Sequence, residues 1–188
     1  EISACLVGSE MCIRDRDDPN VVLVTAHADC GAVFLYDKKR RSIGLAHAGW
    51  KGTLKRVGTE LVRSMQTAFG TKAEDLIAAT GPCICFDCFE VGAEIGRRFA
   101  EEFHSEELVK PGKTGKAYVD IRAAIEIQLE ECGVLPQNIS AMPLCTFERS
   151  DLFYSYRRDR TKTGAMVSVL KLCLLYTSDA ADELDGVD

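Results

Sequence analysis

The sequence predicts one mixed α/β (α+β) domain. Short β-branched apolar runs alternate with stretches of helical periodicity. The 188 residues suffice for one ordinary domain with a real core, and no repeat or low-complexity linker divides the body. Hydrophobic residues make up 46% and charged residues 28%, which is globular rather than disordered composition.

Val21 to Ala26 and Val33 to Tyr36 read as strands, and Asp37 to Arg41 as a charged turn. Ser42 to Ala46 is a third strand, running into His47-Ala48-Gly49-Trp50. A helix starts at Thr53, carries Leu54, Val57, Leu61 and Met65 at helical spacing, and stops at Gly70. Asp75 to Thr80 is a strand that ends at Gly81-Pro82. Val91, Ile95, Phe99 and Phe103 share one face of a second helix. Tyr118-Val119 ends a strand, and Asp120 caps a third helix with the stripe Ile121, Ile125, Leu129 and Cys132, stopped by Gly133. Ile139 to Cys145 and Ala165 to Leu170 are the last strands.

The two ends read differently. Ser3 to Arg16 (SACLVGSEMCIRDR) and Cys173 to Glu183 (CLLYTSDAADE) resemble translated sequencing-adapter sequence. Residues 1–16 and 173–188 are therefore set aside as non-structural, leaving a domain over 17–172 that is truncated at its N-terminus. The body holds 21 basic and 21 acidic residues, so the net charge of −6 sits at the ends. A neutral body gives no electrostatic reason for nucleic acid or a membrane surface as partner. No apolar run is long enough to span a bilayer, and no signal sequence is evident. Nine cysteines in a chain with a good core pattern point to reduced thiols or a metal site, hence a cytoplasmic protein.

Two segments carry candidate chemistry. One is Ala28-Asp29-Cys30 at a strand end; the other is Gly44 to Thr53, a strand, a glycine-flanked turn and a helix start. Glycines admit close backbone approach, and a helix N-terminus favours an anion. A thiolate and an imidazole are natural zinc ligands. From residue types alone, a core thiol at Cys30 and a satisfied histidine at His47 remain the commoner arrangement. Cys85 and Cys88 have C-x-x-C spacing, but a four-cysteine site needs a second pair, and Cys132 and Cys145 do not supply that spacing. Tyr154, Tyr156, Arg157, Arg158 and Asp159 form a further cluster. It is either a solvated turn or a place where an arginine, or Lys51, binds phosphate or a ribose hydroxyl. His104 reads as a surface residue.

The order ADC, AHAGWKGT, GPCI…CFEVG, CT…DLFYSYRRD resembles that of the laccase-domain, multicopper-polyphenol-oxidase-like family, the YfiH-like purine nucleoside phosphorylases, across residues 21–170. The resemblance implies layered mixed β-sheets with helices packed outside, in a single YfiH-like domain. It also implies a zinc site of two histidines and one cysteine. Cys30 and His47 match two of these ligands and become the expected catalytic and metal residues. The third is a histidine upstream of residue 21, absent here, and a fragment inactive for want of that ligand is one of the alternatives. His27 is three positions from Cys30, and strand side chains alternate, so His27 is expected to point away unless the chain bends. The implied reactions are phosphorolysis of purine nucleosides such as adenosine and inosine, with phosphate as co-substrate, and deamination of adenosine. The alternatives are a copper-dependent polyphenol oxidase and a peptidoglycan-editing factor. The resemblance also implies that the Cys85–Cys88 loop lies beside the active site, and it is expected to be loop structure with free thiols rather than a metal knuckle.

Overall fold

A computed structural model describes residues 2–4 and 12–173. Among them are eleven strands in three sheets. The first sheet has the order β1 (Ile2–Ala4), β3 (Val22–His27), β11 (Met166–Lys171). The second has the order β10 (Ile139–Ala141), β6 (Leu76–Thr80), β4 (Gly31–Asp37), β5 (Ser42–Ala48), β2 (Cys12–Arg16). A third small sheet joins β7 (Glu90–Gly92), β9 (Lys116–Val119) and β8 (Val109–Pro111).

Strand alternation explains how the first two sheets stack. In β5, Ile43 and Leu45 face the first sheet, where they bury with Leu23 of β3 and Ala32 of β4. The in-between residues Ala46 and Ala48 face the opposite way, into the main core with Val33 and Leu35. That core is closed by α2 (Val57–Phe69) and α4 (Ile121–Glu131), whose stripes Leu61, Met65 and Ile121, Ile125, Leu129 are buried in it. Gly44 admits α2 closely: a Cβ there would lie 2.7 Å from Met65 Sδ and 3.0 Å from Leu61 Cδ1. The expected layering of sheets with helices outside is therefore present. No helix among the described residues is long and apolar enough to cross a membrane.

Several elements depart from their expected form. The single helix expected from Thr53 is two, α1 (Trp50–Leu54) and α2, broken where Arg56 adopts φ 61°. The buried Gln128 side chain serves the break. Its Oε1 accepts from Gly58 N at 2.9 Å, and its Nε2 donates to Thr53 O at 3.2 Å. Val91 lies in β7 rather than in α3 (Ala93–Phe103), because Gly92 caps that helix with extended backbone. The strand expected to reach Cys145 ends at Ala141, and Cys145 makes only an isolated bridge with Cys83. Tyr156–Asp159 forms a short helix, α5, capped by Ser155 Oγ accepting from Arg158 N.

Of the ends set aside in the sequence reading, residues 2–4 and 12–16 form strands; residues 1, 5–11 and 174–188 lie outside the described residues. β2 pairs antiparallel with β5 from Cys12 opposite His47 to Arg16 opposite Ile43, and β1 pairs parallel with β3. This contrasts with the reading of 1–16 as non-structural. The physical reason is that a sheet edge is satisfied by main-chain donors and acceptors, which any extended segment supplies.

Candidate active site

β3 ends on His27 and β5 carries His47 one residue before its end, both aimed between the first two sheets. His27 is in phase with the buried Leu23 and Thr25, and His47 with Ile43 and Leu45. Their rings stack with centroids 5.5 Å apart and planes at 23°. His47 Nδ1 lies 3.1 Å from Ala26 O. A carbonyl only accepts, so in the neutral ring Nδ1 carries the proton and Nε2 presents its lone pair. His27 Nε2 lies 2.7 Å from Ser168 Oγ, while its Nδ1 is buried with no protein partner among the described residues. Burial, followed by the neighbouring His47, pushes the His27 pKa down to about 4. Burial also lowers that of His47, against the opposing pull of the Ala26 carbonyl. Both shifts favour the neutral ring.

Between the strands the chain turns sharply. Asp29 adopts φ 81°, a left-handed conformation that aspartate tolerates better than most residues. Its carboxylate accepts from Thr146 Oγ1 at 2.8 Å and from Arg157 N at 2.6 Å, and its carbonyl accepts from Ile84 N at 2.9 Å. The bend sets aside the alternation expected across Ala28 and Asp29. His27 and Cys30 therefore line the same cavity rather than opposite faces.

Cys30 and His47 meet at Gly49. A Cβ on Gly49 would lie 3.0 Å from Cys30 Sγ and 3.5 Å from His47 Nε2, so a side chain there would crowd both donors. Burial raises the Cys30 pKa to about 12, assisted by the charge of Asp29 and by Cys83. Such a shift makes the thiol a poor free nucleophile at neutral pH. A thiolate beside an imidazole lone pair is a donor set that fits zinc. Among the described residues one group of three or more such side chains has donor atoms mutually within 4.8 Å: Cys85, Cys88, Cys145 and Glu148, which can hold a metal ion.

Around the Cys30–His47 pair is a cavity of about 720 Å³, a size typical of small-molecule sites. Trp50, Phe89 and Tyr156 give it aromatic surface, and Lys51, Arg157 and Arg160 give it cationic side chains. Arg157 is steadied by donating from Nη1 to Glu90 O at 2.5 Å and by stacking over Phe89. Arg158, expected as a companion, is placed differently. Its guanidinium donates to the carbonyls of Thr146, Phe147 and Phe153 and to the Asp159 carboxylate, and so holds the 146–153 loop. The helix at Gly49 has only five residues, so the anion-attracting end expected there is weak. Sequence reasoning missed Arg160 and Phe89, since neither Arg-Arg-Asp-Arg nor Cys-Phe-Glu marks one residue above its neighbours.

Residues 16–173 match the family model described as multi-copper polyphenol oxidoreductase laccase, and the chain belongs to that family. Among its relatives is the purine nucleoside phosphorylase YlmD of Bacillus subtilis (strain 168), 35% identical over 156 residues, covering 82% of this chain and 56% of the relative. Another is adenosine deaminase RL5 from an unknown prokaryotic organism, 36% identical over 151 residues, covering 77% and 57%. The crystal structure of the hypothetical protein YfiH of Bacillus licheniformis superposes with a TM-score of 0.80 at 31% identity, covering 86% of this chain and 61% of that one. The chain thus spans less than two thirds of the length of these relatives, and it shares their YfiH-like mixed α/β fold.

Proposed function

We propose that the chain is the zinc-dependent part of a purine nucleoside enzyme that cleaves nucleosides with phosphate and deaminates adenosine. The observation that supports this reading is that Cys30 Sγ and His47 Nε2 both flank Gly49, 3.0 Å and 3.5 Å from where its Cβ would lie, at the wall of a cavity bearing both cations and aromatic rings. Cys30 and His47 would hold the ion. The chemistry such an ion supplies is a water or hydroxide available near neutral pH.

The protein's own groups have distinct tasks. The Ala26 carbonyl fixes the His47 tautomer and orients the ring, a support that metal-binding histidines commonly need. Trp50, Phe89 and Tyr156 offer stacking surface to a purine. Lys51, Arg157 and Arg160 offer donors to phosphate, whose oxygen attacks the anomeric carbon as the N-glycosidic bond breaks and the base leaves. The third metal donor is a histidine N-terminal to residue 21 by the family resemblance; His27 is the other imidazole of this cavity.

The copper oxidase is the rival outcome. The chain has three histidines, too few for a cluster of coppers. The deciding assay compares zinc-loaded and copper-loaded protein for release of adenine, hypoxanthine or ammonia from nucleosides, and for oxidation of a phenolic dye. In the protein restored to full length, nucleoside turnover with zinc is expected, and Cys30→Ala should remove both the ion of this site and turnover. Arg157→Ala should raise KM for phosphate roughly tenfold or more, as for one lost charge-assisted hydrogen bond. Copper-dependent dye oxidation without nucleoside turnover would overturn the reading. Free thiols at Cys30, Cys83, Cys85, Cys88, Cys132, Cys145 and Cys173 support a reducing, cytoplasmic setting.

A further inference from the structure

We infer that Cys85, Cys88, Cys145 and Glu148 form a second metal site, a structural zinc clasp separate from the Cys30–His47 pair. None of the four lines the cavity. Their donor atoms lie within 4.8 Å of one another, across two segments sixty residues apart.

Both segments have the same local build. In the first, Phe89 N donates to Cys85 O at 3.0 Å, closing a turn that brings Cys85 and Cys88 together. In the second, Arg149 N donates to Cys145 O at 3.0 Å, closing an equivalent turn over Cys145 and Glu148. Each turn presents two donors three positions apart. Glu148 occupies the place a fourth cysteine would take, which is why a search for a second cysteine pair passes over it. Glu148 Oε1 lies 3.9 Å from Cys85 Sγ and 3.6 Å from Cys88 Sγ. Two atoms bonded to one zinc, at about 2.3 Å for sulfur and about 2.1 Å for oxygen, stand roughly 3.5–4 Å apart in a tetrahedron. Cys85 N points at Cys145 Sγ from 3.3 Å, a main-chain donor suited to stabilising a thiolate.

The ligand types select the ion. Three thiolates with one carboxylate make a soft, four-coordinate set, which favours zinc over magnesium or calcium. Four protein ligands leave no open position, so the site is structural rather than catalytic. Cys85 and Cys88 are half-buried and Glu148 is exposed, so an ion can reach them. Bound there, it would pin the 83–89 loop to the 145–148 loop directly behind the cavity wall. Ile84 and Phe89 of the first loop line the cavity, and Thr146 of the second holds Asp29.

The test uses the full chain expressed with zinc. In a Cys30→Ala/His47→Ala variant, elemental analysis should still find about one zinc per chain. X-ray absorption at the zinc edge should show a shell dominated by sulfur. Adding Cys85→Ser/Cys88→Ser should remove that zinc, and Glu148→Gln, a gentler change, should weaken its retention against a chelator at least tenfold. Should the first variant fail to fold, the unaltered protein decides: two sulfurs or more per zinc on average supports the clasp, whereas one sulfur per zinc overturns it. No zinc in the folded Cys30→Ala/His47→Ala variant, a shell of nitrogen and oxygen alone, or a Cys85–Cys88 disulfide in its place would each also overturn it.

Discussion

Arg157 and Arg158 are adjacent and chemically identical, yet the fold gives them unlike tasks. Arg158 directs its planar fork at three carbonyls and a carboxylate, and so acts as an internal strut for the loop that carries Thr146. Replacing it with Ala should destabilise the protein by about 3 kcal/mol, since several carbonyls lose a charged donor at once. Lys should rescue little, because one ammonium cannot reproduce the fork. Denaturant titration of the three proteins measures both effects. No sequence rule separates these two arginines, since their difference is made by which backbone oxygens lie within reach. Cys30 and His47, by contrast, stand out in the sequence through their motifs, and both line one cavity. His27 was misplaced because alternation was carried through Asp29, whose left-handed backbone interrupts the strand geometry.

At the scale of elements, apolar periodicity located the strands and helices that build the core, because those runs are long enough to show a period. The three-stranded sheet of β7, β8 and β9 was nearly invisible, since strands of three or four residues display none. The interruption between α1 and α2 was hidden for another reason. Leu54, Val57 and Leu61 keep helical spacing across it, and the signal for the break lies in Gln128, seventy residues from Gly58. Gln128 is fully buried and also donates to Ala124 O at 3.2 Å. Gln128→Leu would match its bulk while leaving Gly58 N without its partner, whereas Thr53 O still accepts from Arg56 N at 3.0 Å. A loss of about 1–3 kcal/mol is expected, for one desolvated donor. Thermal unfolding of the variant, with amide exchange at Gly58, checks it; unchanged protection there would show that the break is satisfied otherwise.

At the scale of the whole molecule, two sheets meet over a thin apolar seam, and helices cover the outer face of the larger sheet. The seam ends where His27 and His47 stack, so the candidate site lies at the open end of a sandwich. This arrangement was implied by family resemblance rather than by composition, since residue patterns fix which face of a strand is buried but not which sheet lies against it. The asymmetry of the clusters follows from helix supply: α2 and α4 both pack on one face, and the larger core forms there.

The bend at Asp29 bears on the order of events during folding. Its carboxylate is held by Thr146 and Arg157, 117 and 128 residues further along the chain. Closing loops of that length is slow compared with pairing β4 to β5 or docking α2 on them, which need only neighbouring chain. Cys30 and His47 can therefore be brought near one another early, while the turn that aims Cys30 is secured only when the last third of the chain arrives. Asp29→Asn should accordingly hasten unfolding several-fold and leave the refolding rate almost unchanged, as expected for contacts absent from the transition state. Stopped-flow chevrons would show it, and a slowed refolding limb would place this turn in the nucleus instead. A pocket assembled last is also the part a partly unfolded chain surrenders first, so loss of ligand binding should precede loss of secondary structure on the way to denaturation.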